Sequence, residues 1–155
     1  DGAPPAEFVG AIVRREREGL LAAFADADIA AQAAVELLQG FALLRASHPS
    51  AAGVGLRIGI YSGPAQLVTP QGSGLIDYFG TTLALCLRLL REAHAGDIVL
   101  PASLGEALAK RPPESAIAGL RVGPRFMLSV RGVEAPVAVV RANLDPAVTS
   151  PPSAA

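Results

Sequence analysis

Apolar residues recur along this chain with two different periods, and the switches between those periods divide it into elements. In AEFVGAIVRREREGLLAAF, residues 6–24, two short extended runs, 9–14 and 20–24, flank a charged turn that ends at Gly19. That pattern predicts a hairpin. ADADIAAQAAVELLQGFALLRASHP then sets Ala30, Ala33, Ala34, Leu37, Leu38, Phe41 and Leu44 at helical spacing, with Asp26 or Asp28 placed to cap the start and Pro49 beyond the end. A helix over 28–46 is expected. VGLRIGIYSGPAQLV, 54–68, predicts a strand pair bending near Gly63 and Pro64, and TPQGSG, 69–74, a loop. The next helix is expected over 80–94, stopping at Gly96 in a left-handed cap.

Further along, DIVLP (97–101) reads as a short buried strand and ASLGEALA (102–109) as a short helix that Ser103 helps to cap. KRPPESA is a loop, and GLRVGPRFMLSV and APVAVVRA are two late strands, expected to pair antiparallel. The tail NLDPAVTSPPSAA has the Pro/Ser/Ala bias of a disordered linker. The expected organisation is therefore a flexible segment 1–8, one domain over 9–142 and a tail over 143–155, with no internal repeat. Strands and helices in this order make an α+β pattern with a mostly antiparallel sheet.

Composition narrows the function. At 155 residues, 51% hydrophobic and 17% charged, the chain can bury one good core. A formal net charge of -1 offers no basic stripe for nucleic acid or an anionic membrane surface, so small-molecule or protein partners are expected. The single cysteine, Cys86, excludes an intramolecular disulfide, and with His48 and His94 it matches no zinc-ligand spacing. No apolar run approaches the ~20 residues of a membrane span, and DGAPPAEF is not signal-like, so a cytoplasmic domain without membrane insertion is expected. Lys110 is the only lysine.

Three stretches in order, RIGIYSG (57–63), DYFG (77–80) with its arginine-bearing helix, and GDIVLP (96–101), resemble the catalytic domain of the class III adenylate/guanylate cyclases. The family's R-I/V-G-I-x-x-G strand is matched by Arg57, Ile58, Gly59, Ile60 and Gly63, and its next segment by Asp77, Tyr78, Phe79, Gly80 and Arg88. Its early hairpin is matched by Val13, Arg14, Arg17, Glu18, Gly19, Ala22 and Phe24, so the resemblance covers about 9–142. It implies a ferredoxin-like, cyclase-type sheet with helices 28–46 and 80–94 on one face. It also implies magnesium or manganese as cofactor, ATP or GTP as substrate, and a partner that is a second copy or another cyclase homology domain.

The resemblance also assigns roles. Arg88 would contact phosphates across a dimer interface, where a guanidinium fork suits a phosphoryl-transfer transition state; the alternative is an arginine snorkelling from an apolar helix to water. Asp77 would read the base, or else serve as a turn residue bonding its own backbone. Against these stand departures. The family's first metal-binding strand has no counterpart before residue 9, and Glu18 replaces the second metal-binding aspartate, with Arg17 adding a cation beside it. Arg14 stands for the base-reading lysine, Ala84 for the ribose-orienting asparagine and Arg131 for the lysine of a late L-K-G segment. Together these imply a degenerate, catalytically impaired homology domain with a regulatory or dimerisation role. An active fragment completed by an upstream or partner strand, and an unrelated small α+β binding domain, are the alternatives. QGSG (71–74) lacks the Lys-Ser/Thr of a phosphate loop, His48 and His94 suit helix C-termini, and Cys86 suits the core.

Overall fold

A computed structural model describes residues 9–16, 18–68 and 77–145 of the chain. Along it run β1 (Gly10–Glu16), β2 (Gly19–Phe24), α1 (Ala27–Ser47), β3 (Ile58–Gly59), β4 (Gln66–Val68), β5 (Asp77–Phe79), α2 (Thr81–Glu92), β6 (Asp97–Pro101), α3 (Ala102–Ala109), β7 (Leu120–Leu128) and β8 (Val137–Leu144). The class is α+β, and the sheets are mostly antiparallel. A four-stranded sheet has the order β3-β6-β8-β7, in which only β3 and β6 run parallel. The hairpin β1-β2 and the pair β4-β5 form two small antiparallel sheets.

Local chemistry explains most element ends. Asp26 Oδ1 accepts from the Asp28 amide at 2.6 Å, which satisfies a free N–H at the start of α1. At its other end the His48 amide donates to Leu44 O at 3.0 Å, and the His48 ring stands 3.2 Å from the same carbonyl. Pro49 then opens a 3-10 turn, Pro49–Ala51. The late strands pair antiparallel as expected, with one extra residue on β7 between Val122 and Arg125. Gly123 and Pro124 lie in that bulge, where a proline's missing N–H is tolerated.

The sheet has a core on each face, because successive side chains of a strand point to opposite sides. On one face Ala31, Ala34, Val35 and Leu38 of α1 pack on Ile98, Leu100, Val140, Ala142 and Leu144, with Leu108 of α3. On the other, Leu89 and Ala93 from the α2 region pack on Val99, Leu128 and Val139. The helices expected over 28–46 and 80–94 therefore lie on opposite faces; α1 and α3 are the pair that shares one. The cause is visible in the alternation of β6, where Val99 turns away from Ile98 and Leu100 and needs a cover of its own.

Other expectations shift. The stretch 54–68 does not fold back on itself: β3 joins β6, and β4 pairs with β5 from Gln66↔Phe79 to Val68↔Asp77. The loop expected over 69–74 and the segment 1–8 lie outside the described residues. The second helix ends at Glu92, and Gly96, with φ +89°, turns the chain into β6 rather than capping the helix. Ser103 sits inside α3 and caps nothing, since the helix starts straight from the strand end with Pro101 at its cap position. β8 continues to Leu144, two residues into the expected tail, because Leu144 is buried and the Asp145 amide bonds Gly119 O at 2.8 Å. Finally, α1 is long and apolar enough to cross a bilayer, with mean hydropathy 1.3, contrary to the sequence expectation. Gln32, Glu36 and Gln39 interrupt the run yet leave its average high, and one face of the helix, through Ala31, Ala34, Val35 and Leu38, packs on the sheet.

Candidate functional site

Of the sequence-predicted site residues, Ala84 and Arg88 lie on α2, and the strand bearing Asp77 touches it. Its seat is set by Gly59 of β3, where a Cβ would stand 2.6 Å from Leu90 N and 2.8 Å from Cys86 O, so only glycine lets the helix lie this close. The Cys86 thiol donates to Gly59 O at 3.3 Å across the same contact. Burial pushes that thiol's pKa up, partly offset by a backbone hydrogen bond at Tyr61. At the first turn Thr82 Oγ1 donates to Pro64 O. Beyond the last turn, Arg141 Nε donates to Glu92 O at 3.2 Å while its guanidinium lies over the Phe126 ring at 4.5 Å. A cation there suits the negative end of the helix. Thr82, Arg141 and Glu92 were missed by sequence reasoning; only Glu92 carried a signal, its i+4 spacing from Arg88.

With Leu85 and Leu89 buried, α2 turns Ala84, Leu87 and Arg91 outward. Arg88 is half-buried and forms an ion pair with Glu92 at 3.0 Å, one turn on. Its side chain therefore runs along the helix, and Ala84 places only a methyl group in the turn before it. β1 touches β5, and β5 touches α2, so the strand bearing Asp77 lies against the helix bearing Arg88, and the strand bearing Arg14 lies against β5. Arg14 Nε pairs with Glu16 at 2.9 Å. The Asp77 backbone is in ladder register with Val68; its side chain lies outside the described residues.

Glu18 and Arg131 are not drawn into this group by any hydrogen bond among the described residues. Glu18 is exposed at the β1-β2 turn, and Arg131 is exposed in the β7-β8 turn closed by Val133 N to Val130 O at 3.0 Å. Among the described residues no group of three or more His, Cys, Asp or Glu could hold a metal ion. Among the described residues the carboxylates do not form the set that a pair of divalent ions requires, since Glu18 is exposed at the turn and Glu16 is engaged by Arg14. His94 and Asp97 make a local pair at 3.2 Å on the turn after α2 and stand outside the group.

No protein-family model and no curated protein matches the sequence. Solved structures do. An adenylate/guanylate cyclase/hydrolase from Silicibacter pomeroyi superposes with a TM-score of 0.67 at 24% identity, over 88% of this chain and 72% of its own. The adenylyl cyclase CyaB from P. aeruginosa matches with a TM-score of 0.67 at 17% identity, over 94% of this chain and 75% of its own. The chain has the fold of the adenylate/guanylate cyclase catalytic domain. An adenylate cyclase structure from Trypanosoma brucei, described in its monomeric state, agrees at a TM-score of 0.64, 19% identity and 88% coverage of this chain. The cyclase fold thus extends through both faces of the four-stranded sheet, and α2 on the face opposite α1 is compatible with it.

Proposed function

We propose that this domain is a class III nucleotidyl cyclase homology domain that is impaired in turnover and acts as a regulatory or pairing module. The observation that carries the reading is the outward side of α2, where Ala84 offers no polar group and Arg88 is engaged with Glu92 at 3.0 Å. A transition-state contact works when a preorganised donor meets developing charge, and losing one such donor costs on the order of 10²-fold in rate. The half-exposed ion pair by itself is weak and would yield to a phosphate. The methyl group at Ala84 has no such remedy. Glu18, exposed at the hairpin turn, with the neighbouring Glu16 engaged by Arg14, supports the same reading.

Residual chemistry in this domain would be the conversion of ATP or GTP to a cyclic nucleotide and diphosphate, with ATP as the ligand for Asp77 and Arg14, and the magnesium or manganese that the resemblance implies would lack its carboxylate pair among the described residues. The partner we assign is a second copy or another cyclase homology domain meeting the α2 side, where Leu87 and Phe79 are exposed. The setting is the cytoplasm. A second reading, an active cyclase fragment, draws support from the placement of β1, β5 and α2 side by side. One experiment separates them: the purified chain is incubated with ATP or GTP and magnesium or manganese, and cyclic nucleotide is quantified. Background levels in all four mixtures are expected. Turnover that Arg88→Ala abolishes and Glu92→Gln raises would replace the proposal with the active-fragment reading.

A further inference from the structure

A cleft of about 490 Å³ lies beneath the C-terminal half of α1, at the end of the sheet where β6 and β7 begin and β8 finishes. It is apart from the outward strip of α2. Small-molecule sites of about 300–1,000 Å³ combine apolar walls with a few polar groups that fix the ligand's orientation, and this lining has both. Leu38 and Leu144 are buried in it, and Phe41 and Leu56 are half-buried beside them. One wall is set by glycine. A Cβ on Gly55 would collide with the Ala95 Cβ, and the Gly96 amide donates to Leu56 O at 2.7 Å. The two loops are thereby held side by side, so the cleft is preformed.

The charged residues of the lining are Arg45, Asp97 and Arg121. Strand alternation turns the last two toward the other face of the sheet, where Asp97 Oδ2 accepts from the His94 amide at 3.0 Å and Arg121 pairs with Asp145. Arg45 is therefore the charge that the cleft itself holds. Its Nη2 donates to Ala52 O at 2.7 Å, which fixes the guanidinium in place and uses one of its several N–H donors. The end of α1 does not oppose an anion there with free carbonyls, since Leu43 O accepts from Ser47 Oγ at 3.1 Å and Leu44 O from the His48 amide at 3.0 Å. We propose that this cleft binds a small amphipathic carboxylate, its apolar body along Leu38, Phe41, Leu56 and Leu144 and its acid group on the Arg45 guanidinium. A planar guanidinium matches a carboxylate with paired N–H donors. An inorganic anion would leave the apolar wall unused, and an uncharged apolar molecule would leave the guanidinium unused. The inference does not rest on the reading of α2, which lies across the sheet.

Titration of the full chain with octanoate, followed by amide NMR shifts, tests it, with octanol and acetate each supplying half of the ligand's chemistry. Octanoate is expected to bind saturably and to shift the amides of Leu56, Gly96 and Leu144. Octanol should bind at least about tenfold more weakly, because the charge-assisted hydrogen bonds are lost, and acetate more weakly still. Arg45→Gln should weaken octanoate about tenfold and leave octanol unchanged, a split that a merely structural role for Arg45 would not produce. Arg125→Gln, the same charge change at an exposed position of β7, should leave both ligands unchanged. No saturable octanoate binding, octanol or acetate binding as tightly as octanoate, Arg45→Gln binding octanoate like wild type, or shifts centred on α2 would each overturn the proposal.

Discussion

Gly59→Ala tests how α2 is seated. The added methyl carbon would stand 2.6 Å from Leu90 N, 2.8 Å from Cys86 O and 2.9 Å from Leu90 Cα, all of them backbone atoms that no rotamer change can move. Relief requires the helix to lift by about 0.5–1 Å, which forfeits part of the dispersion contact that Leu89 makes with Val99, Leu128 and Val139. Overpacking of this kind costs about 1–3 kcal/mol. Alanine recovers about 0.4–1 kcal/mol by restricting the unfolded chain. A net loss of about 1–2 kcal/mol remains, or a melting temperature lower by roughly 3–6 °C for a chain of this size. Gly40→Ala is the control, since its Cβ meets nothing within 4 Å and the unfolded-state gain is the same. Measured by circular dichroism, the control should melt higher than wild type and Gly59→Ala lower. If Gly59→Ala melts at or above wild type, the close seating of α2 on β3 is wrong.

Two further outcomes follow from single contacts. Asp26→Ala removes the side-chain acceptor at the start of α1 and should lower the urea unfolding free energy by about 1 kcal/mol; no change would mean the first turn frays in the native state. Cys86 should alkylate more slowly at pH 8 than an unfolded thiol, because burial favours its protonated form. Its folded pKa lies above the unfolded value, so its contribution is intact below that value and is lost as pH rises past it. Wild type should therefore lose stability relative to Cys86→Ala above about pH 8.5; parallel pH profiles would show the thiol to be solvated.

The parts of the fold legible in the sequence are those whose signal is local. The 3.6 period and the Asp26 cap placed α1 within a residue at each end, and the charged turn before Gly19 placed the first hairpin. Pairing partners were not legible, because Gln66–Val68 carries the same alternation whether its neighbour is β3 or β5. Choice between them depends on Gly59, whose bare Cα admits α2 over β3, and that is a contact between residues 31 positions apart in the case of Leu90. The faces of the helices were misjudged for a related reason. A run such as Ile98-Val99-Leu100 is apolar on both sides, so it announces burial but not which helix covers which residue.

The apolar character of α2 bears on its arginine through the same two-sided geometry. Leu85 and Leu89 satisfy the sheet, which leaves Ala84, Leu87 and Arg88 as a strip whose composition the core does not dictate. That side carries charge in Arg88, Arg91 and Glu92, yet it leaves Leu87 exposed beside a half-buried Arg88, with Glu92 as the arginine's counter-ion. Snorkelling explains the ion pair but leaves the exposed leucine without a reason, whereas a partner covering the strip accounts for both, since an interface core takes apolar side chains and tolerates an arginine whose charge is matched. The arginine is therefore better read as part of a contact surface than as a lone polar relief on an apolar helix. Phosphate chemistry at Arg88 would further require a polar group at the position of Ala84, which the sequence does not provide.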